Sequence, residues 1–242
     1  MWIAVLIIVG VVTLAHTAPA PFLMDWTQGD RAVWHRPRSD PPTVYLTYDD
    51  GPNPTTTPVL LDVLGRECVR ATFFIIDQHL TEDTAPIVAR MFAEGHSVAL
   101  HSANKSYMLK SAADLAGTLT AAADRIERLA GARPCRTFRP RGGWRSRAMF
   151  KGLRQIDYRL VGWGWMLWDV EIFHSRSADR TVSRLASRVR AGDIMVMHDG
   201  DESAPLKDQR SAVDATARLI PELRARGFGF STVCQNDIRI EP

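Results

Sequence analysis

This sequence lacks the features that would divide it. It has no low-complexity linker, no long run of one charge and no internal repeat. One domain of roughly 200 residues behind an N-terminal leader is the simplest organisation, a size that α/β barrels reach as single domains. Charge of one sign is scarce too: 30 Lys and Arg against 27 Asp and Glu leave +3, with both signs interspersed. That excludes the basic footprint of a nucleic-acid binder. Cysteine is limited to Cys68, Cys135 and Cys234, with no metal-like spacing. An odd count excludes a fully paired framework within one chain. One bridge would require an oxidising compartment, and buried free thiols are the expectation. No Gly-X-Ser-X-Gly elbow occurs, so a serine triad lacks its usual marker.

Long apolar runs are confined to the start. Trp2 to Ala15 is almost wholly apolar and has no polar face, which argues against a helix of the folded domain. A stretch of about 14 residues is short for a membrane span and suits the core of an export signal. Ala18-Pro19-Ala20 supplies small residues of the kind a signal peptidase reads, but no Lys or Arg precedes the run and Pro21 would follow the cut. Residues 1–20 are therefore expected to be a signal peptide or an uncleaved membrane anchor, and the protein to be exported. Residues 21–42 read as a Pro-rich lead-in, 43–235 as the folded domain and 236–242 as a tail.

Within the domain, short β-rich runs alternate with amphipathic stretches. Strands are expected at Thr43–Tyr48, Ala71–Ile76, Ser97–His101, Thr137–Arg139, Tyr158–Gly162, Met166–Asp169, Ile194–Met197 and Phe228–Val233. Helices are expected at Thr55–Leu64, Asp83–Glu94, Ser111–Ala130, from Ser146 through Gln155, Asp179–Arg190 and Ser211–Arg226. The alternation implies parallel βαβ units. About seven strands in this length point to an α/β fold, a deformed (β/α) barrel closed or nearly so; an open doubly wound sheet is the alternative.

In such folds the chemistry collects at the carboxyl ends of the strands. Here those ends carry Asp49-Asp50, His101, Arg139 with a glycine turn, Asp169, and His198-Asp199. Two adjacent acids followed by Gly51-Pro52 would also make a good turn with no chemistry. They equally allow one carboxylate to hold a metal while the other takes a proton from water.

These residues resemble the polysaccharide deacetylase family, the NodB-homology carbohydrate esterases of family 4, from about Thr43 to Cys234. Thr47-Tyr48-Asp49-Asp50-Gly51-Pro52 resembles the first family motif, with Tyr where Phe is frequent. Gly95-His96 and His101-Ser102 resemble the start of the second, Phe138-Arg139-Pro140 with Gly143 the third, and Val196-Met197-His198-Asp199 the fifth. Asp169, in Trp168-Asp169-Val170-Glu171, falls loosely where the fourth belongs. The resemblance implies removal of acetyl groups from an N-acetylated glycan, with a divalent metal such as zinc. It makes Asp49 the general base, Asp50 and His101 metal ligands, and Arg139 the partner that holds Asp49. His198 becomes the general acid, kept charged by Asp169 or Glu171. A backbone N–H in the turn Arg141, Gly142, Gly143 would stabilise the oxyanion, and Val196 with a tryptophan would wall the acetate pocket.

The chain is a divergent member by this resemblance. The family usually carries a second histidine four residues after the first, where this sequence has Lys105. A protonated lysine offers no lone pair. Arg141 stands where proline is frequent and Gly142 where an aromatic is; His174 and Ser175 lie where the fourth motif continues. Three readings follow: a deacetylase whose metal takes another ligand such as Asn104, or extra waters; one in which Lys105 replaces the metal's charge; and a glycan-binding pseudoenzyme. An esterase for O-acetylated glycans would use the same machinery. Among other residues, His96 is expected to be structural, lying out of phase with His101. His79 reads as a loop or groove residue. Trp163, Trp165 and Trp168 read mainly as packing residues, and Trp144 as a sugar platform. Arg141 and Arg145 would bind a polyanionic glycan or serve as surface charge, and 201–208 reads as a solvated loop.

Overall fold

The computed structural model describes residue 10 and residues 32–164 and 178–234. Apart from residue 10, the expected leader at 1–20 lies outside the described residues, as do the expected tail at 236–242 and the expected strand Met166–Asp169. So do Trp165, Trp168, Asp169, Glu171, His174 and Ser175. No helix among the described residues is long and apolar enough to cross a membrane.

Seven strands make one sheet: β1 (Thr43–Asp49), β2 (Thr72–Ile75), β3 (Ser97–His101), β4 (Thr137–Arg139), β5 (Arg159–Leu160), β6 (Ile194–His198) and β7 (Gly229–Phe230). The order is β5-β4-β3-β2-β1-β6, all parallel, with β7 also paired parallel to β1. Among the described residues six helices connect them: α1 (Thr57–Arg66), α2 (Ala85–Ala93), α3 (Ala112–Ala130), α4 (Arg147–Gln155), α5 (Ala178–Arg188) and α6 (Arg210–Ala225). The fold is the expected deformed (β/α) barrel.

Local chemistry explains the ends of these elements. The side chains of Ser111 and Ser146 accept from the Asp114 and Met149 N–H groups and so cap α3 and α4. α3 stops at Gly131, whose φ of 80° is left-handed and free of cost only for glycine.

Strand alternation divides the sheet into two faces. Val44, Leu46, Tyr48, Phe73, Ile75, Val98, Leu100 and Phe138 face the helices and form the main core with Leu60, Leu64, Leu115, Leu119, Ile220 and Leu223. Each such side chain stabilises the fold by roughly 1.5–3 kcal/mol when fully buried. The opposite parity (Tyr45, Phe74, Ala99, Ile194) makes a smaller cluster inside the curl, with Val161 and Val233. Thr47, Asp49, His101, Arg139, Val196 and His198 continue that inner parity towards the carboxyl rim.

The lead-in crosses the seam of the barrel. Val33 bridges Val161 beside β5, and His35 bridges Asp193 just before β6. Trp34 lies against Gly162, where any Cβ would collide with the indole. The cysteines correct the expectation of buried free thiols. Cys135, just before β4, is bonded to Cys234, just after β7, and Cys68 is exposed. The sheet order brings these ends together at the foot of the barrel, a proximity that a separation of 99 residues conceals.

Candidate active site

Parallel register builds the site. Asp49 pairs with His198 of β6, and His101 pairs with Arg139 of β4. Four strand ends therefore deliver a carboxylate, two imidazoles and a guanidinium to one rim, and Asp49, His101 and Arg139 are buried there.

The Arg139 side chain is held on every side. It donates from Nη1 to Asp49 Oδ1 (2.6 Å) and Thr47 Oγ1 (2.8 Å), from Nη2 to Gly162 O (2.9 Å) and from Nε to Val161 O (3.3 Å). Its plane lies 3.8 Å from the centre of the Phe74 ring. Burial lowers its pKa against the opposing pull of Asp49, yet an arginine so placed remains charged. The result is a desolvated ion pair that fixes one oxygen of Asp49.

Asp50 breaks the alternation. A regular strand would point Asp49 and Asp50 to opposite faces. Asp50 instead has φ 69°, a left-handed conformation that costs a non-glycine residue roughly 1–2 kcal/mol. Its carboxylate thereby turns back into the site, with Oδ1 3.3 Å from His101 Nε2 and Oδ2 3.8 Å from His198 Nε2. The His101 imidazole also lies 4.0 Å, through Nδ1, from Asp49 Oδ2. Burial alone would raise the Asp50 carboxyl, but the His101 imidazole facing it, with the charges of His198 and Arg141, outweighs that and lowers it to about 2.

A further layer, missed from the sequence, supports this turn. The Asp199 carboxylate accepts a short hydrogen bond from Thr57 Oγ1 and packs against Gly51, where no Cβ would fit. Burial raises its pKa to about 7, with the nearby Asp50 and Asp49 charges adding to the shift and Thr57 opposing it. Gly200 lies against the Asp50 carbonyl. Asn53 accepts from Thr55 N and Thr56 N and donates to Lys207 O, tying the first motif to the 201–208 loop. That loop is more than solvated surface, because Glu202 forms an ion pair with Arg141 across the rim.

Several expected site residues stand elsewhere. Arg145 is buried, with its guanidinium 5.0 Å from the Trp34 ring, so it supports the turn from behind and cannot meet a glycan from solvent. Asn104 is exposed and its side chain accepts from Ser106 N, which spends its oxygen as a cap. Lys105 is also exposed, its ammonium 5.9 Å over the Trp144 ring. His96 is buried and accepts through Nδ1 from Ala71 N–H, a packing role. Trp163 packs edge-on to Trp34. In the glycine turn, Arg141 N–H donates to Ser102 Oγ and Gly143 N–H to Pro140 O. Val196 is buried on the inner parity, two positions before His198.

The fold and this rim define a hydrolytic β/α barrel with paired carboxylates at its first strand. Residues 36–161 match the polysaccharide deacetylase family model. A peptidoglycan-N-acetylglucosamine deacetylase of Bacillus cereus is 30% identical over 84% of this chain and 91% of its own length. A chitooligosaccharide deacetylase of Sinorhizobium fredii is 34% identical over 81% of this chain and 92% of its own. A crystal structure of a peptidoglycan N-acetylglucosamine deacetylase, in complex with a naphthalenyl N-oxidanyl-benzamide, superposes with TM-score 0.71 at 26% identity, covering 87% of this chain and 94% of that one. The chain belongs to the polysaccharide deacetylase family, the NodB-homology carbohydrate esterases of family 4. It is a deacetylase-like hydrolase acting on carbon–nitrogen, non-peptide bonds.

Members of this family generally use a divalent metal. The donor chemistry here fits in part. Asp50 Oδ1 is buried without a hydrogen-bond partner and faces His101 Nε2, a carboxylate–imidazole pair suited to a divalent cation. The third position is Lys105, and no group of three His, Cys, Asp or Glu that could hold a metal is found among the described residues. The set is one ligand short of the three protein ligands usual in catalytic zinc sites.

Proposed function

We propose that this protein is an exported hydrolase that removes the acetyl group from N-acetylglucosamine units of a glycan, with Asp49 as general base and His198 as general acid. The observation that carries this reading is the pairing of Asp49 with His198 on adjacent strands, with Asp49 locked by the buried Arg139. A binding module needs neither a base nor an acid at such a register.

The chemistry follows from the residues. Arg139 occupies Asp49 Oδ1 and leaves Oδ2 to accept a proton from water. The resulting hydroxide oxygen bonds to the acetyl carbonyl carbon, and the π electrons move onto the carbonyl oxygen. In the glycine turn the neighbouring N–H groups are occupied, so Gly142 N–H is the donor assigned to that oxyanion. His198 then protonates the nitrogen as the carbon–nitrogen bond breaks, giving acetate and a free amine. A divalent ion held by Asp50 and His101 would supply Lewis acidity towards water and carbonyl. Asp169, or else Glu171, is proposed to keep His198 charged. Arg141 and Trp144 are proposed to contact the sugar, and Val196 to line the acetate pocket. Residues 1–20 would direct export or anchor the chain in the membrane.

The test is acetate release from N-acetylglucosamine polymers, with and without added divalent metal, for the wild type and Asp49→Asn. Release by the wild type and none by the variant is expected. Equal behaviour of the two proteins would favour the second reading, a glycan-binding pseudoenzyme, for which the substitution at Lys105 is the specific observation. Release from O-acetylated glycans alone would make the protein an esterase.

A further inference from the structure

We propose that His79 is a positioning residue for the reaction, holding Asp50 in the backbone conformation that aims its carboxylate into the site. It stands in the turn after β2 (Asp77–His79), on a different strand end from every residue of the family motifs. Its Nδ1 lies 3.0 Å from the Asp50 carbonyl oxygen. A carbonyl only accepts, so Nδ1 carries the proton and the imidazole donates.

The bond acts where the chain is under strain. Asp50 is a non-glycine residue at φ 69°, and that conformation brings both carboxylates of the pair to one face. Three other contacts hold the same turn: Ile76 N–H donates to Gly51 O (2.9 Å), Gly200 N–H donates to Asp49 O (3.4 Å), and Gly200 packs on the Asp50 carbonyl. These are backbone contacts that no side-chain change nearby removes. His79 is the side-chain donor in the set, itself anchored where its own carbonyl accepts from Thr84 Oγ1 (2.8 Å). Without it the Asp50 carbonyl loses its side-chain donor, and the peptide rotates more readily towards the ordinary strand region, carrying the carboxylate away from His101 and His198.

This inference rests on Asp49 and Asp50 being the catalytic pair. The test compares wild type, His79→Leu and His79→Asn as full-length protein, acting on an N-acetylglucosamine oligomer in saturating divalent metal. Leucine keeps the volume without a donor. Asparagine places an amide N–H at the δ position, the same reach from Cβ as Nδ1. His79→Leu is expected to lower kcat about tenfold or more with KM within twofold, and His79→Asn to recover most of the loss. Independently of turnover, ¹⁵N NMR of the wild type at pH 8 is expected to show His79 as the Nδ1–H tautomer. A His79→Leu kcat within twofold of wild type, an asparagine variant no better than leucine, or an Nε2–H tautomer would each overturn the proposal. Wild type without acetate release would overturn the catalytic reading instead, leaving the tautomer to decide on His79.

Discussion

Replacing Arg139 by methionine tests the site and the fold together. The guanidinium is fully buried and makes four hydrogen bonds, one of them to Asp49. Methionine retains much of the volume and the contact with Phe74 but donates nothing. Removing one partner of a buried ion pair costs about 3–5 kcal/mol, because the remaining charge stays in a low dielectric. The Val161 and Gly162 carbonyls lose their guanidinium donors as well, at roughly 1 kcal/mol or more each. Losses within one network do not add in full, so a total of about 4–6 kcal/mol is expected. That is a large share of the roughly 5–15 kcal/mol that holds a typical domain together. Urea unfolding of wild type, Arg139→Met, Asp49→Asn and the double variant would measure it. The double variant should regain about 2 kcal/mol over Arg139→Met, since it removes the stranded charge. A single-variant loss below about 1 kcal/mol, or additive behaviour across the cycle, would refute the assignment of a desolvated Arg139–Asp49 pair.

Lys105→His should raise zinc affinity at least about tenfold by isothermal titration, because it adds an imidazole four residues after His101, at the position where the family resemblance expects a ligand. Lys105→Ala that remains active and chelator-sensitive would exclude a stand-in role for the ammonium. Asp199 has a folded-state pKa of about 7 against an ordinary 3.8. Its contribution to stability is therefore present in full below the unfolded value and lost as pH rises through 7, a swing of up to about 4 kcal/mol. Asp199→Asn should flatten the dependence between pH 4 and 8, read from urea midpoints. Cys135→Ser should cost roughly 2–5 kcal/mol, since the bridge to Cys234 closes a long loop in the unfolded chain; an unchanged midpoint would show that the bridge does not form in solution.

The strands were legible where burial is complete. Ala71–Ile76 is apolar except for Thr72, and it became β2 over Thr72–Ile75. Serine caps and a left-handed glycine marked α3 and α4 to within a residue. The last strand was read too long: Phe228–Val233 yields only Gly229–Phe230, because its pairing with β1 lasts two residues. The rim residues of the motifs were legible because each follows a strand of recognisable parity. What supports them was not. The Asp199–Thr57 contact joins residues 142 apart, and Arg145 is buried because the lead-in delivers Trp34 to it. Neither pairing leaves a periodic trace in the chain. The disulfide is another such case, since only the sheet order brings its two ends together.

The position of Lys105 bears on how Asp50 is neutralised. Its ammonium lies over Trp144, while the groups that hold the Asp50 carboxyl down are His101, His198 and Arg141. The groups that face Asp50 are therefore the protein's own imidazoles and an arginine that stands where the resemblance expects proline. A metal entering between Asp50 and His101 would have to meet a neutral His101, since a protonated imidazole has no lone pair on that side. Metal uptake should then compete with protons and strengthen as the pH rises. The two halves of the Asp49–Asp50 pair thus answer to different partners. Asp49 is fixed by a buried arginine that does not titrate, whereas Asp50 faces the imidazoles of His101 and His198 and is the half that a metal would share.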